Sequence, residues 1–200
     1  INSNSTFIGF KGSEDLGNGL KAIWQVESAI ALDTGAGNFA TRDSFVGLTS
    51  PSLGMLQLGL LTSSARAMGG IYDINKAATG IGLSAALLGK LGNFAITDPA
   101  LKTQAAGTIG QFDNRLRNSV QYTTPTFGSF SASALYSAGE NTSGPRAYNA
   151  NLGVKYDDGS LYAGLAYTRS TTGVDDSAAS GTYAWKGIPF AKPPVGALRW

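Results

Sequence analysis

The chain of 200 residues is 42% hydrophobic and 14% charged, enough apolar substance for one core, and its 27 glycines and 10% aromatic content suit strands joined by tight turns better than a helical bundle. A formal net charge of +2 comes from scattered Lys and Arg with no basic run, which excludes a phosphate-neutralising surface and nucleic acid as a partner. Cys and His are both absent, which removes disulfides, thiolate chemistry, the usual general base and the commonest transition-metal ligand, so neither an enzyme nor a bound cofactor is expected.

No charged n-region and apolar h-region open the chain at Ile1, so any export signal has been removed or the numbering starts inside a longer protein. The first patterned stretch, Ser5 to Ser28, alternates. Ile8 and Phe10 oppose Gly9 and Lys11, and Gly17-Asn18-Gly19 supplies a turn able to take positive φ. From Leu20 to Asp33 the even positions Leu20, Ala22, Trp24, Val26, Ser28, Ile30 and Leu32 oppose Lys21, Ile23, Gln25, Glu27, Ala29, Ala31 and Asp33, a period of two held over a longer run than most soluble strands. Phe39 to Thr49 and Met55 to Leu61 repeat the pattern around Ser50-Pro51-Ser52-Leu53-Gly54, where Pro51 excludes a laddered position.

The stretch Ser63 to Asp113 lacks this alternation. Within it Ile74, Ala77, Ala78, Ile81, Ala85, Leu88 and Leu91 fall mostly at helical spacing, although Gly80 and Gly82 weaken the helix. The uncharged run Ala77 to Gly89 is shorter than the roughly 18 to 20 residues that a spanning helix requires. Alternation then resumes at Arg117 to Thr124, Phe130 to Gly139, Arg146 to Tyr156 and Leu161 to Thr168, for about eight strands in all.

Tyr148, Ala150, Leu152, Val154 and Tyr156 share one face, against Ala147, Asn149, Asn151, Gly153 and Lys155 on the other, so aromatics cap both ends of an aliphatic band. A two-sheet sandwich alternates in the same way. Strands long enough to cross a bilayer, aromatic ends around an apolar middle, and short turns alternating with longer loops favour a membrane barrel. Hydrocarbon offers no hydrogen-bond partners, so such a sheet must turn its apolar face outwards and enclose its polar face around water.

Phe10-Lys11-Gly12-Ser13-Glu14-Asp15-Leu16-Gly17, Gly19-Leu20-Lys21-Ala22-Ile23-Trp24-Gln25-Val26-Glu27, Phe45-Val46-Gly47-Leu48, Asn118-Ser119-Val120-Gln121-Tyr122 and Pro125-Thr126-Phe127-Gly128 resemble the general porins of Gram-negative bacteria, of the neisserial and β-proteobacterial branch, over about residues 5 to 170. The resemblance implies an all-β fold: a partial transmembrane antiparallel β-barrel over 1–172, about eight strands of a sixteen-stranded one, with 63–113 as a long loop folded inward. It further implies a homotrimer in the intact parent protein, set in the lipid of the cell outer membrane, that passes small hydrophilic solutes and ions by passive diffusion.

The family sets basic residues on the wall facing its constriction. Arg42 matches one such position, and Arg115 and Arg117 are candidates for others; Phe7 and Leu60 stand where the family often has Arg, and the loop offers only Asp73 and Asp98 as acids. A lumen lined by Lys11, Lys21, Arg42, Arg115, Arg117 and Lys155 against Glu27 and Asp33 is expected to favour anions weakly. No metal site is expected, because Glu14-Asp15, Asp157-Asp158 and Asp175-Asp176 lie at turns without the spacing of a calcium loop. Gly35-Ala36-Gly37 likewise lacks the strand-to-helix context of dinucleotide binding.

After Thr172 the alternation breaks. Gly187 to Trp200 resembles the N-terminal region of type-B carboxylesterases, so 173–200 reads as an unrelated or fused tail, and a carboxylesterase-related α/β-hydrolase fragment or a nonfunctional hybrid is the alternative to a porin fragment. A G-x-S-x-G elbow, a glycine-rich oxyanion loop and a His are all missing, so no catalytic residue transfers.

Overall fold

The computed structural model describes residues 6–72, 115–139, 148–171, 182–185 and 190–191. Period-two alternation between turn residues produces β1 (Phe7–Gly17), β2 (Leu20–Ala31), the two-residue β3 (Ala36–Gly37), β4 (Ser44–Ser50) and β5 (Gly54–Thr62). Helix α1 (Ser64–Tyr72) follows, then β6 (Arg115–Thr123), β7 (Phe130–Ala138), β8 (Tyr148–Asp157), β9 (Leu161–Thr171), β10 (Thr182–Trp185) and β11 (Phe190–Ala191). One antiparallel sheet joins the strands in the order β1-β2-β4-β5-β6-β7-β8-β9-β10, each paired with its neighbour in the chain apart from β3, which pairs β2, and β11, which pairs β9.

The connections sort by length to the two ends of the strands. At one end lie tight turns. Asn18 (φ 53) and Gly19 (φ 76) make a two-residue hairpin loop between the paired Gly17 and Leu20. Gly54 closes the next hairpin at φ +84, where a Cβ would stand 2.2 Å from the carbonyl oxygen of Thr123, so both conformation and space demand glycine. At the other end the chain runs long, from Ala31 to Ser44 and from Thr62 to Arg115.

Register reveals two faces. Trp24, Val46, Leu58, Val120, Tyr136 and Ala150 are successive partners across six strands, and Ala22, Leu48, Leu56, Tyr122, Ala134, Leu152 and Tyr167 form the adjacent row of the same face. This face is apolar yet uncovered: Leu58 is 48% exposed, Val46 61% and Leu152 55%. On β7 and β8 an aromatic pair marks each end of it. The rings of Phe130 and Tyr156 lie 4.9 Å apart near the tight turns, and those of Tyr136 and Tyr148 lie 5.9 Å apart towards the long connections, with Ala132, Ala134, Leu152 and Val154 between. Strands of about ten residues tilted by about 45° cover about 23 Å, which matches the apolar band of a transmembrane barrel.

The opposite row, Ser13-Ile23-Gly47-Gln57-Gln121-Leu135-Asn151-Thr168, is mostly polar, and Gln57, Leu135, Asn151 and Thr168 are buried in it. This face carries α1. Ser64 Oγ lies 3.3 Å from Ser133 Oγ, and Leu61, Leu116 and Leu135, with Phe45 packed against them, form a small apolar cluster where the long connection leaves and rejoins the sheet.

Several boundaries differ from the sequence expectation. Phe39 to Asp43 is not strand, because side chains take over the bonds a ladder would make: Thr41 Oγ1 accepts from Ala29 N at 2.9 Å and Ser28 Oγ from Ala40 N at 2.8 Å. β6 starts earlier, at Arg115, and passes a register irregularity around Asn118, which has a φ of 50. The helix found is Ser64–Tyr72, while the helical spacing of Ile74 to Leu91 lies outside the described residues. Thr182–Trp185 and Phe190–Ala191, within the stretch read as a separate tail, both pair along β9. Their registers against β9 differ by one residue.

Candidate functional site

The helix-bearing face divides into two patches. On β1 and β2 it is charged: Lys11 lies opposite Gln25, Asp15 opposite Lys21, and Glu27 opposite Gly9. Among the described residues no helix covers this patch, and Lys11 and Lys21 are exposed. Charges separated by water and ladder spacing interact weakly with one another, yet they set the local potential for a mobile ion.

Beside this patch the chain after β3 returns and adds Arg42. Its Nε donates to Glu27 Oε1, its backbone N–H donates to the Glu27 carbonyl at 3.0 Å, and its guanidinium sits 4.3 Å from the centroid of the Phe7 ring. Glu27 also accepts from Gln25 Nε2 at 3.2 Å. The arginine is therefore held between a carboxylate and an aromatic face, with much of its charge offset locally. Next to it, Asp43 accepts Thr62 Oγ1 at 2.6 Å on one oxygen and Arg115 Nε at 3.0 Å on the other. Thr62 and Arg115 are partners in the ladder and are the two ends of the long connection, so one carboxylate fastens both of its stems.

On β7, β8 and β9 the same face is mostly uncharged and small, Lys155 and Leu135 being exceptions. Ser131, Ser133, Ser137, Asn149, Asn151, Gly153, Ala166 and Thr168 belong to it, and Thr168 Oγ1 donates to Asn151 Oδ1 at 2.8 Å while Asn151 Nδ2 donates to Asn149 Oδ1. Helix α1 lies over this patch. Ser63 caps it, its Oγ accepting from Arg66 N at 3.3 Å and its carbonyl from Ala67 N at 2.9 Å, and Met68 is buried against β9 beside Gly164. Burying that one methionine contributes about 1.5 to 3 kcal/mol towards holding the helix on the wall.

Of the residues singled out from the sequence, Lys11, Lys21, Glu27 and Lys155 stand on the helix-bearing face by register, and Arg42 joins Glu27 there. Arg115 is bound to Asp43. Arg117 is exposed, its carbonyl accepting from Ser137 Oγ at 2.6 Å. Lys155 faces Ser131 and Gly164 across the ladder. Asp73 and Asp98 lie outside the described residues. Sequence reasoning missed Asp43, because its partners sit 19 and 72 residues away and no local signal announces them. It also missed α1, for which Ser63 before the good helix formers Ala65, Arg66, Ala67 and Met68 was an available cue.

With this geometry in hand, a family model described as Gram-negative porin matches residues 1–191. The major outer membrane protein P.IB of Neisseria meningitidis serogroup A is 33% identical over 174 residues, 84% of this chain and 44% of that protein. The P.IB protein of Neisseria lactamica is 31% identical over 188 residues, 94% of this chain and 48% of the relative. Among solved structures, an anion-selective porin from Comamonas acidovorans superposes with a TM-score of 0.63 at 29% identity, over 84% of this chain and 48% of the other. The chain thus spans about half the length of the relatives it matches. The resemblance of Gly187 to Trp200 to carboxylesterases finds no support in these comparisons, and the porin match continues through residue 191. The chain belongs to the Gram-negative porin family, whose members are outer-membrane channels and not enzymes.

Proposed function

We propose that this chain is part of a passive diffusion pore for small hydrophilic solutes and ions, set in outer-membrane lipid, with a weak preference for anions. The observation that carries the reading is the two-faced ladder. Neighbouring rows hold Leu56, Tyr122 and Leu152 on the uncovered side and Gln57, Gln121 and Asn151 on the other, the division required of a sheet with hydrocarbon behind it and water before it. Residues 63–113 act as the inward loop of that pore, and the start of α1 on the polar face supports this. β1 has one paired neighbour among the described residues, so closure needs further strands, which accords with a chain covering about half of its relatives. By family likeness the intact parent assembles as a homotrimer.

The anion preference rests on charge placement. Asp15 opposes Lys21, Glu27 holds Arg42 and Asp43 holds Arg115, while Lys11 and Lys155 face uncharged partners across the ladder, leaving this wall positive among the described residues. The anion-selective Comamonas porin, at 29% identity, supports the same sign. The test is reconstitution of the intact parent protein, whose further strands close the barrel, in a planar bilayer under a salt gradient. Stepwise conductance with a reversal potential slightly displaced towards the anion is expected; absence of steps overturns the pore, and displacement towards the cation overturns the preference.

A further inference from the structure

We propose that Gly153, and to a lesser degree Gly164, are positioning residues of the bore: they clear the wall so that α1 lies flush against it, and thereby set how far the inward loop stands into the lumen. The inference rests on the pore reading above and adds which residues set the free cross-section. Glycine within a strand weakens it and marks a place where another part of the chain approaches closely. Here the approaching part is α1. A Cβ at Gly153 would lie 2.9 Å from Ser64 Cβ, 3.0 Å from Ser64 Oγ and 2.9 Å from Ser133 Oγ; one at Gly164 would lie 2.9 Å from Met68 Sδ. Carbon atoms rest about 3.5 to 4.0 Å apart, so an added methyl at Gly153 demands a displacement of about 1 Å.

Which group yields decides the outcome. Ser64 Cβ is fixed to the helix backbone at its first residue, so only the helix itself can move away. Met68 Sδ is part of a flexible side chain that can turn aside, which makes Gly164 the more forgiving position. The root of the helix cannot retreat along the sheet, because Thr62 is fastened to Asp43 at 2.6 Å and paired with Arg115 in the ladder. Relief at Gly153 therefore tilts α1 off the wall, towards the space the polar face encloses.

The experiment uses two readouts. The chain has no Cys, so Ser64→Cys with Ser133→Cys forms a unique pair at a site where the two hydroxyl oxygens lie 3.3 Å apart, and its oxidation reports the seat whether or not current flows. Adding Gly153→Ala is expected to lower the yield of that disulfide by about twofold or more, since the bond tolerates little displacement. With the intact parent protein in a planar bilayer, Gly153→Ala lowers single-channel conductance, Ser64→Gly restores it in the double variant, and Ser64→Ala, which keeps the Cβ, does not. Val154→Ala, on the uncovered face of the same strand, leaves both readouts at the parent level. An unchanged disulfide yield with Gly153→Ala overturns the proposal. An intact parent protein that conducts no current, while the disulfide yield still falls with Gly153→Ala, sinks the pore reading and leaves the seat standing.

Discussion

The wall under α1 and the wall of β1 and β2 belong to one face of one sheet, yet they are built for opposite purposes. Under the helix the side chains are Ser133, Asn151, Gly153, Gly164 and Ala166, small and uncharged, and Asn151 is 1% exposed. Away from it they are Lys11, Asp15, Lys21 and Glu27, and the lysines are exposed. A polar face inside a pore must accommodate water in one place and protein in another. Where protein covers it, desolvation excludes unpaired charge and every polar atom needs a partner; where water covers it, charge costs little and acts on passing ions.

That contrast predicts losses of different kinds. Leu116→Ala, in the cluster with Leu61 and Leu135 at the foot of the covered patch, is expected to cost about 2 to 5 kcal/mol in the unfolding of the reconstituted chain. Asn151→Ala strands the Thr168 hydroxyl in a buried site, and a loss of about 1 to 3 kcal/mol should appear in the same assay. Either residue behaving as neutral would break the comparison from the covered side.

On the open side the readout changes. Glu27→Gln leaves Arg42 without its carboxylate and is expected to move the reversal potential towards the anion, and Lys11→Glu to move it the opposite way, each with stability altered by no more than about 0.5 kcal/mol for the exposed lysine and about 1 kcal/mol for the half-buried pair. A large stability loss at Lys11 with no electrical effect would show that the patch is structural after all.

The smallest effect belongs to a turn outside the band. Asp158 accepts hydrogen bonds from the backbone N–H of Leu161 at 2.7 Å and of Ser160 at 2.8 Å and from Tyr156 Oη at 2.8 Å, and these hold its pKa below the ordinary carboxylate value. A depressed folded pKa places the stabilisation above the usual carboxylate range and removes it as pH falls through the folded value. Asp158→Asn should therefore flatten the acid limb of the stability curve slightly and leave neutral conductance unchanged, which a pH series of unfolding midpoints would check.

Much of the fold was legible because its signals are local. Alternation at Leu20 to Ala31 and Tyr148 to Tyr156, the Asn18-Gly19 turn and Pro51 locate strands and turns from residues a few positions apart. Phe39 to Asp43 was misread, because Ser28 and Thr41 divert the ladder through hydroxyls, a competition that alternation does not register. The charged candidates were visible as residue types, but their pairing was not: Arg42 reads as a bare cation until Glu27 and Phe7 are brought beside it.

What the sequence determined by itself is therefore the sidedness of each strand, since a period of two sends alternate residues to opposite faces whatever the neighbours are. The tertiary structure alone decided how one polar face is divided between helix and water. Ladder register brings Gly153 opposite Ala166 and carries Ser133 beneath Ser64 from 69 residues away, and long-range pairing of that kind depends on closure of the intervening loop, which no short window of sequence encodes.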